Sequence, residues 1–291
     1  MKKYINQLRG YIFKLRQKDF VFNDEKGNRL IGNLIKSNKP FAVARIGIGE
    51  EHVIFNHLQN RDPQLERLNT AGVWDDSYED FLREYIQGIT DADLNIFWKG
   101  MPFEVPFKIL NTYSPNSIKI PHRSLEPYYF KKPWSRHLKG KKVLVIHPFT
   151  DSIESQYKNR KKVWPNLEIL PEFELITYES KFLNNLDEYK SWTDELADMK
   201  KDISKIDFDI ALLACSTFGH PLISYIKEEL GKGGIYVGGA LQLFFGIKGA
   251  RWTKEGNPEI FKLYNEYWVF PSKNETPSKE VSNKLDNSCY W

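Results

Sequence analysis

The sequence predicts an α/β protein, a Rossmann-like, mainly parallel sheet with helices on both faces. Three observations carry this. Short apolar runs alternate with helical patterns along the chain, the stretch Ile206–Gly246 reads as strand, turn, helix and strand, and 41% hydrophobic residues in 291 supply a core for one large α/β unit or two small ones. Within IDFDIALLACSTFGHPLISYIKEELGKGGIYVGGALQLFFG, the run Ile210–Cys215 is too short for a helix and lies between turn formers, as a strand buried on both faces does. Ser216, Thr217 and Gly219 form the turn, with Ser216 or Thr217 as candidate caps, and Pro221 opens a helix where a missing N–H costs nothing. Leu222, Ile223, Tyr225, Ile226 and Leu230 follow at helical spacing, Gly231, Gly233 and Gly234 end the helix, and Ile235–Val237 starts a parallel strand.

From the amino terminus, residues 1–40 form a first region. Ile5, Leu8, Ile12, Phe13 and Leu15 are set among Lys2, Lys3, Arg9, Lys14, Arg16 and Lys18, a basic amphipathic pattern over residues 1–20. It suits either a docking helix with a solvated basic face or a peripheral contact with an anionic membrane. The α/β body is assigned to residues 41–255. There Phe41–Ala44 reads as a strand, Arg45–Gly49 as a glycine-bearing turn and Glu50 onward as a helix. Asn69–Trp74 reads as a loop, Ser77–Ile89 as an amphipathic helix and Ala92–Trp98 as a strand. The segment 102–134 carries Pro102, Pro106, Pro115, Pro121, Pro127 and Pro133 and is expected to be a linker between halves or a loop over a site. Lys141–Ile146 is a strand ended by His147-Pro148, and Asp151–Arg160 a helix. Leu175–Tyr178 is a strand, and Tyr189–Ile206 a helix with Trp192, Leu196, Met199 and Ile203 on one face. Residues 256–291 form a polar tail whose aromatics pack on the body.

A charge of +4, from 42 basic and 38 acidic residues, is too mild to point to nucleic acid, whereas an anionic small substrate would suffice. The two cysteines, Cys215 and Cys289, stand in no CxxC or Cys/His cluster, so neither a disulfide framework nor a structural zinc site is indicated, and the expected setting is cytoplasmic. No apolar run reaches the roughly 20 residues of a membrane span.

Ligands of open α/β sheets bind at the carboxyl ends of the strands, where helix N-termini direct free N–H groups outward and favour phosphate. The loops Cys215–His220 and Gly238–Gln242 belong to that edge, as does the turn holding Arg45, Gly47, Gly49 and Glu50. There Arg45 can grip a diphosphate with two parallel hydrogen bonds, and Glu50 can take a proton from an acceptor hydroxyl. An ion pair between Arg45 and Glu50 or Glu51 is the alternative. Asp151, after the strand that ends at His147, is a general base or an N-cap, with Thr150 and Ser152 as further caps. His147 and His220 stand at strand-to-helix junctions, able to deprotonate a sugar hydroxyl or to serve as structural residues. Gly238 and Gly239 allow close backbone approach, and Gln242 offers an amide to a ribose or sugar hydroxyl. Lys158, Arg160, Lys161 and Lys162 either neutralise a diphosphate or form a solvated face. Arg251 and Trp252 add a cation and a stacking face, or close the core.

The hexapeptide RIGIGE resembles the RFGDGE-type motif of bacterial GT-D glycosyltransferases: Arg45, Gly47, Gly49 and Glu50 match, while Ile48 stands where that family has a metal-binding aspartate. The ACSTFG turn, the YVGG strand end and Asn69–Gly72 are similar to the corresponding loops of that fold. The segments KVLVIHPF, SIESQYKNR, LPEFEL, GGALQLFFGIKGARW and the terminal CYW resemble a group of proteins from bacterial capsule and O-antigen loci. The resemblance implies a GT-D-like fold and a nucleotide-sugar donor whose glycosyl group passes to a glycan or lipid-linked acceptor. Magnesium or manganese would be only weakly held with Ile48 in place. Two other functions fit the same residues: a non-catalytic subunit that binds nucleotide or sugar, and another transferase on the same fold.

Overall fold

The computed structural model describes residues 19–98, 104–166, 168–180, 191–252, 254–277 and 290–291. The basic pattern at the amino terminus therefore lies, up to Lys18, outside the described residues. Seven strands, β1 (Phe41–Arg45), β2 (Leu94–Phe97), β3 (Ile118–Pro121), β4 (Lys142–His147), β5 (Glu174–Glu179), β6 (Ile210–Leu213) and β7 (Gly233–Tyr236), form one sheet in the order β3-β2-β1-β7-β6-β4-β5. Every neighbouring pair is parallel. Val43 faces Leu94 on one side and Ile235 on the other, so β1 lies inside the sheet, beside the middle strand β7 about 190 residues later in the chain.

Among the described residues, ten helices accompany the strands: α1 (Asp24–Ser37), α2 (Ile48–Leu58), α3 (Tyr78–Asp91), α4 (Glu104–Tyr113), α5 (Thr150–Lys158), α6 (Arg160–Val163), α7 (Trp192–Ile203), α8 (Gly219–Glu228), α9 (Ala240–Phe244) and α10 (Pro258–Phe261), with short 3-10 turns between them. Alternation along each strand sends side chains to opposite layers. Ala42, Ala44, Leu144, Ile146, Ala211 and Leu213 join one core with α2, α3, α4, α7 and α8. Phe41, Val43, Val143, Val145, Leu212 and Ile235 join the other with α1, α5 and α9. Helices thus cover both faces, which is why the strands read as continuous apolar runs.

The body elements expected from the sequence lie within a few residues of their places, α8 with Pro221 at its third position rather than its first. The Pro-rich segment differs. It carries α4, β3 and a series of 3-10 turns that wall the second core, and Trp134 at its end donates its backbone N–H to Asn28 and its indole N–H to the Leu125 carbonyl. Its prolines punctuate very short elements, and Pro121 ends an edge strand, one of the few strand positions where a missing donor is harmless. Residues 24–37, read as part of a basic terminal region, are a helix capped by Asn23, whose side chain accepts from the Lys26 N–H at 2.7 Å. Among the described residues no helix is long and apolar enough to cross a membrane.

Helices α3 and α8 touch most closely at Gly88, where an added Cβ would run into the backbone of His220, its third contact, His220 Cβ, being at 2.7 Å. Gly88→Ala should therefore destabilise the protein by about 2–4 kcal/mol, despite the better helix propensity of alanine, because backbone cannot yield as a side-chain tip can. Urea unfolding measures this, and a neutral or stabilising result would show that the two helices are not held at this spacing.

Candidate functional site

Parallel pairing brings the exits of all seven strands to one edge. Arg45 is the last residue of β1, Trp98 follows β2, His122 follows β3, His147 ends β4, Ser216 follows β6 and Gly238 follows β7. The Arg45 guanidinium lies 5.1 Å from the Trp98 ring centre and 5.9 Å from that of Tyr236. Tyr236 in turn donates to the Ser216 carbonyl at 2.8 Å. Gly238, at φ 71°, supplies the space for Arg45, since a Cβ there would lie 2.5 Å from Nη1. The neighbourhoods of Arg45, Ser216 and Gly238 are thus assembled as one surface, with Arg45 at its centre.

No carboxylate stands within ion-pair distance of Arg45 among the described residues, and its buried Nε has no hydrogen-bond partner. Glu50 instead folds its carboxylate against Gly47, the N-cap of α2, in the first turn of that helix where a negative charge is favoured. Gly49 packs against Leu68 of the following loop. Ser216 is exposed and holds φ 51°, a left-handed conformation that a serine adopts at some cost and that recurs at ligand-binding turns.

Several residues expected in the cleft are committed elsewhere. Thr217 is fully buried; its hydroxyl accepts from the Trp192 indole at 2.9 Å and donates to the Ala71 carbonyl at 3.3 Å. Neither it nor Ser216 caps α8. His147 is buried, its Nδ1 accepts the Phe149 N–H at 2.9 Å, and burial lowers its pKa to about 3, so it stays neutral and is no base. His220 is equally buried, and burial with the Arg45 charge likewise holds it near 3. The Gln242 amide donates to the carbonyls of Lys248 and Tyr290, the latter in the tail, whose ring covers Gly239. Asp151 is exposed at the start of α5 but caps nothing. That role belongs to Glu275, which accepts the Ser152 N–H at 3.1 Å and the Ser152 hydroxyl, filling the helix N-terminus with a carboxylate. Arg160 pairs with Glu172 at 3.4 Å, next to the amino ends of β4 and β5, so the basic run 158–162 lies toward the far edge of the sheet. Arg251 stacks over Tyr290 at 4.8 Å, and Trp252 is buried in the second core.

The same edge gathers residues that the sequence did not single out. Trp98 stacks on His122 with centroids 3.6 Å apart and donates its indole N–H to the Ile46 carbonyl at 3.1 Å. His122 Nδ1 lies 4.0 Å from Glu126, which accepts from the Tyr128 hydroxyl at 3.1 Å. Beneath Arg45, the rings of Tyr85 and His220 are 4.1 Å apart. The Tyr85 hydroxyl, near the Gly47 backbone but outside hydrogen-bond geometry, both His220 nitrogens and both oxygens of Glu51 are buried without partners among the described residues. A hydrophobic helix pattern hides Tyr85, which simply occupies a core-facing turn of α3, and Glu51, named in the sequence only as an ion-pair partner for Arg45, turns into the core from α2. A cavity of about 670 Å³, lined by Asp93, Leu94, Ser117, Ile118 and Lys227, opens at the amino ends of β2 and β3, away from this chemistry.

Among the described residues, those at this edge do not make a metal site. Ile48, 51% exposed, offers no oxygen, and among the described residues no group of three His, Cys, Asp or Glu side chains could hold an ion.

Glu51 is 1% exposed, and burial, aided by the neighbouring Glu50 charge, raises its pKa to about 7. The raised value means that the native state holds a proton the unfolded chain releases. The resulting stability is complete below the unfolded pKa and is lost as pH rises through about 7. Glu51→Gln should remove on the order of 2–3 kcal/mol of the fall in unfolding free energy between pH 4.5 and 8. Urea titrations at several pH values test this; an unchanged slope would mean that Glu51 is solvated or paired. No family model matches this chain, and neither does any curated protein or solved structure.

Proposed function

We propose that this protein transfers a glycosyl group from a nucleoside diphosphate sugar to a hydroxyl of a glycan or lipid-linked acceptor in bacterial surface polysaccharide assembly. The observation that carries the reading is Arg45: a guanidinium at the centre of the carboxyl edge, wedged between Trp98 and Tyr236, with no carboxylate to neutralise it among the described residues. Holding a cation there without a partner is costly, and a diphosphate offers the complementary fork-shaped acceptor. The start of α2 adds free N–H groups, and the exposed Ser216 hydroxyl adds a further donor. When the bond from the anomeric carbon to the β-phosphate oxygen breaks, negative charge grows on the diphosphate, and these groups lie where they can offset it. Direct attack by the acceptor oxygen inverts the anomeric centre.

A second reading, a subunit that binds nucleotide or sugar without turnover, draws support from Ile48, which presents an apolar side chain at the position of the aspartate in the motif it resembles. The two are separated by calorimetry with UDP, GDP, CDP and dTDP, together with release of those diphosphates from their sugar conjugates. The expected result is binding of one diphosphate, release from its conjugate, and a loss of about 30-fold in affinity in Arg45→Ala, with Arg45→Lys intermediate. Binding without release selects the second reading. Absence of binding by all four diphosphates defeats both.

A further inference from the structure

We infer that Glu126, at the exit of β3, is the side chain that takes the proton of the incoming hydroxyl. This rests on the group-transfer reading above and assigns the step to a residue outside the turn that holds Arg45. Two inter-strand spacings, about 10 Å in all, separate β3 from β1, with β2 between them. The gap is bridged by the stack of His122 on Trp98, itself fixed to the Ile46 carbonyl, so the carboxyl of Glu126 and the guanidinium of Arg45 are held at opposite ends of one rigid array. A sugar acceptor laid across that array would have its diphosphate partner at one end and a carboxylate at the other.

The other candidates for the role fall short on geometry. Glu50 is folded back against Gly47 in the first turn of α2, His147 and His220 are buried in the core, and Asp151 stands at the start of a helix whose N-terminus is filled by Glu275. The Glu126 side chain is largely buried but keeps 12% of its surface exposed, with one oxygen accepting from Tyr128 and the other 4.0 Å from His122. The nearby Arg123 is drawn away into a 2.7 Å pair with Glu259. The groups facing Glu126 are Asp24 from α1, Arg45 from β1, and His122, Arg123, Tyr128 and Tyr129 from its own segment. Burial outweighs the cations among them and brings the carboxyl to about 7, close to the pH at which a base both exists ionised and holds a proton well. His122, held neutral by burial and by Arg45 and Arg123, does not compete for that proton. In the step, the acceptor O–H bond breaks and its proton passes to Glu126. The oxygen pair forms the bond to the anomeric carbon, and the pair of the broken C–O bond leaves on the diphosphate beside Arg45.

The test compares wild type, Glu126→Gln, Glu126→Asp, Asp151→Asn and Tyr128→Phe in release of nucleoside diphosphate from the conjugate that wild type uses, with diphosphate affinity measured by calorimetry on each. Glu126→Gln is expected to lower kcat by about 100-fold or more while affinity for the diphosphate changes by less than about 3-fold, which also shows the variant to be folded. Asp151→Asn is expected to match wild type and Glu126→Asp to be intermediate. Tyr128→Phe, which removes a hydrogen bond favouring the ionised form, should move the acidic limb of kcat/KM to higher pH. Wild-type turnover in Glu126→Gln overturns the inference and leaves the glycosyl-transfer reading standing. Failure of wild type to bind or release any diphosphate removes that reading, and this inference with it.

Discussion

A parallel strand can be entered only from the end at which its neighbour was entered, so each connection in this molecule must cross a whole face of the sheet before the next strand begins. That constraint does two things together. It forces helices onto both faces, which buries the strands and sets their apolar composition, and it delivers the last residue of every strand to a common edge. Arg45, Trp98, His122 and Ser216 are neighbours there although they lie in four different parts of the chain. The site is therefore a product of topology before it is a product of any local motif.

Within that edge, polar groups are arranged in two layers. The outer layer, Arg45, Ser216, His122 and Glu126, meets solvent. The inner layer, Tyr85, His220, Glu51 and Tyr236, is packed among apolar side chains and has several polar atoms without partners. Desolvation in the inner layer keeps its histidine neutral and its carboxyl protonated up to near neutrality, so the Arg45 charge is not cancelled from below. Gly238 and Gly47 matter here through what they lack: side chains at either place would occupy the space that Arg45 and Glu50 fill.

The parts of this architecture legible in the sequence were those written in local pattern. Ile210–Leu213 and Lys142–His147 are apolar runs between turn formers, and α7 shows its Trp192, Leu196, Met199 and Ile203 stripe plainly. β3 was hidden because a four-residue edge strand ending in proline carries almost no periodicity. The turn of Arg45 was visible because glycine and arginine together between strand and helix are unusual. Glu126 was not, because its distinction includes distant neighbours, Arg45 and Asp24, that no local window contains. Thr217 and Gln242 illustrate the opposite error. Small or amide side chains at strand exits suggest ligand contacts, yet these two spend their hydrogen bonds on Trp192, Ala71, Lys248 and Tyr290. Likewise Asp151 has the residue type of a cap, but the carboxylate that arrives is Glu275, 123 positions after the Ser152 it binds.

The pairing of Phe41 with Gly233 has a kinetic side. Nearly the whole body must leave the ribosome before the central seam can close, and until then β1 presents one open edge to anything extended nearby. Joining such remote segments adds loop entropy to the folding barrier, so a slow approach to the native state is built into this strand order, and during synthesis the nascent first half is the stretch most in need of a chaperone.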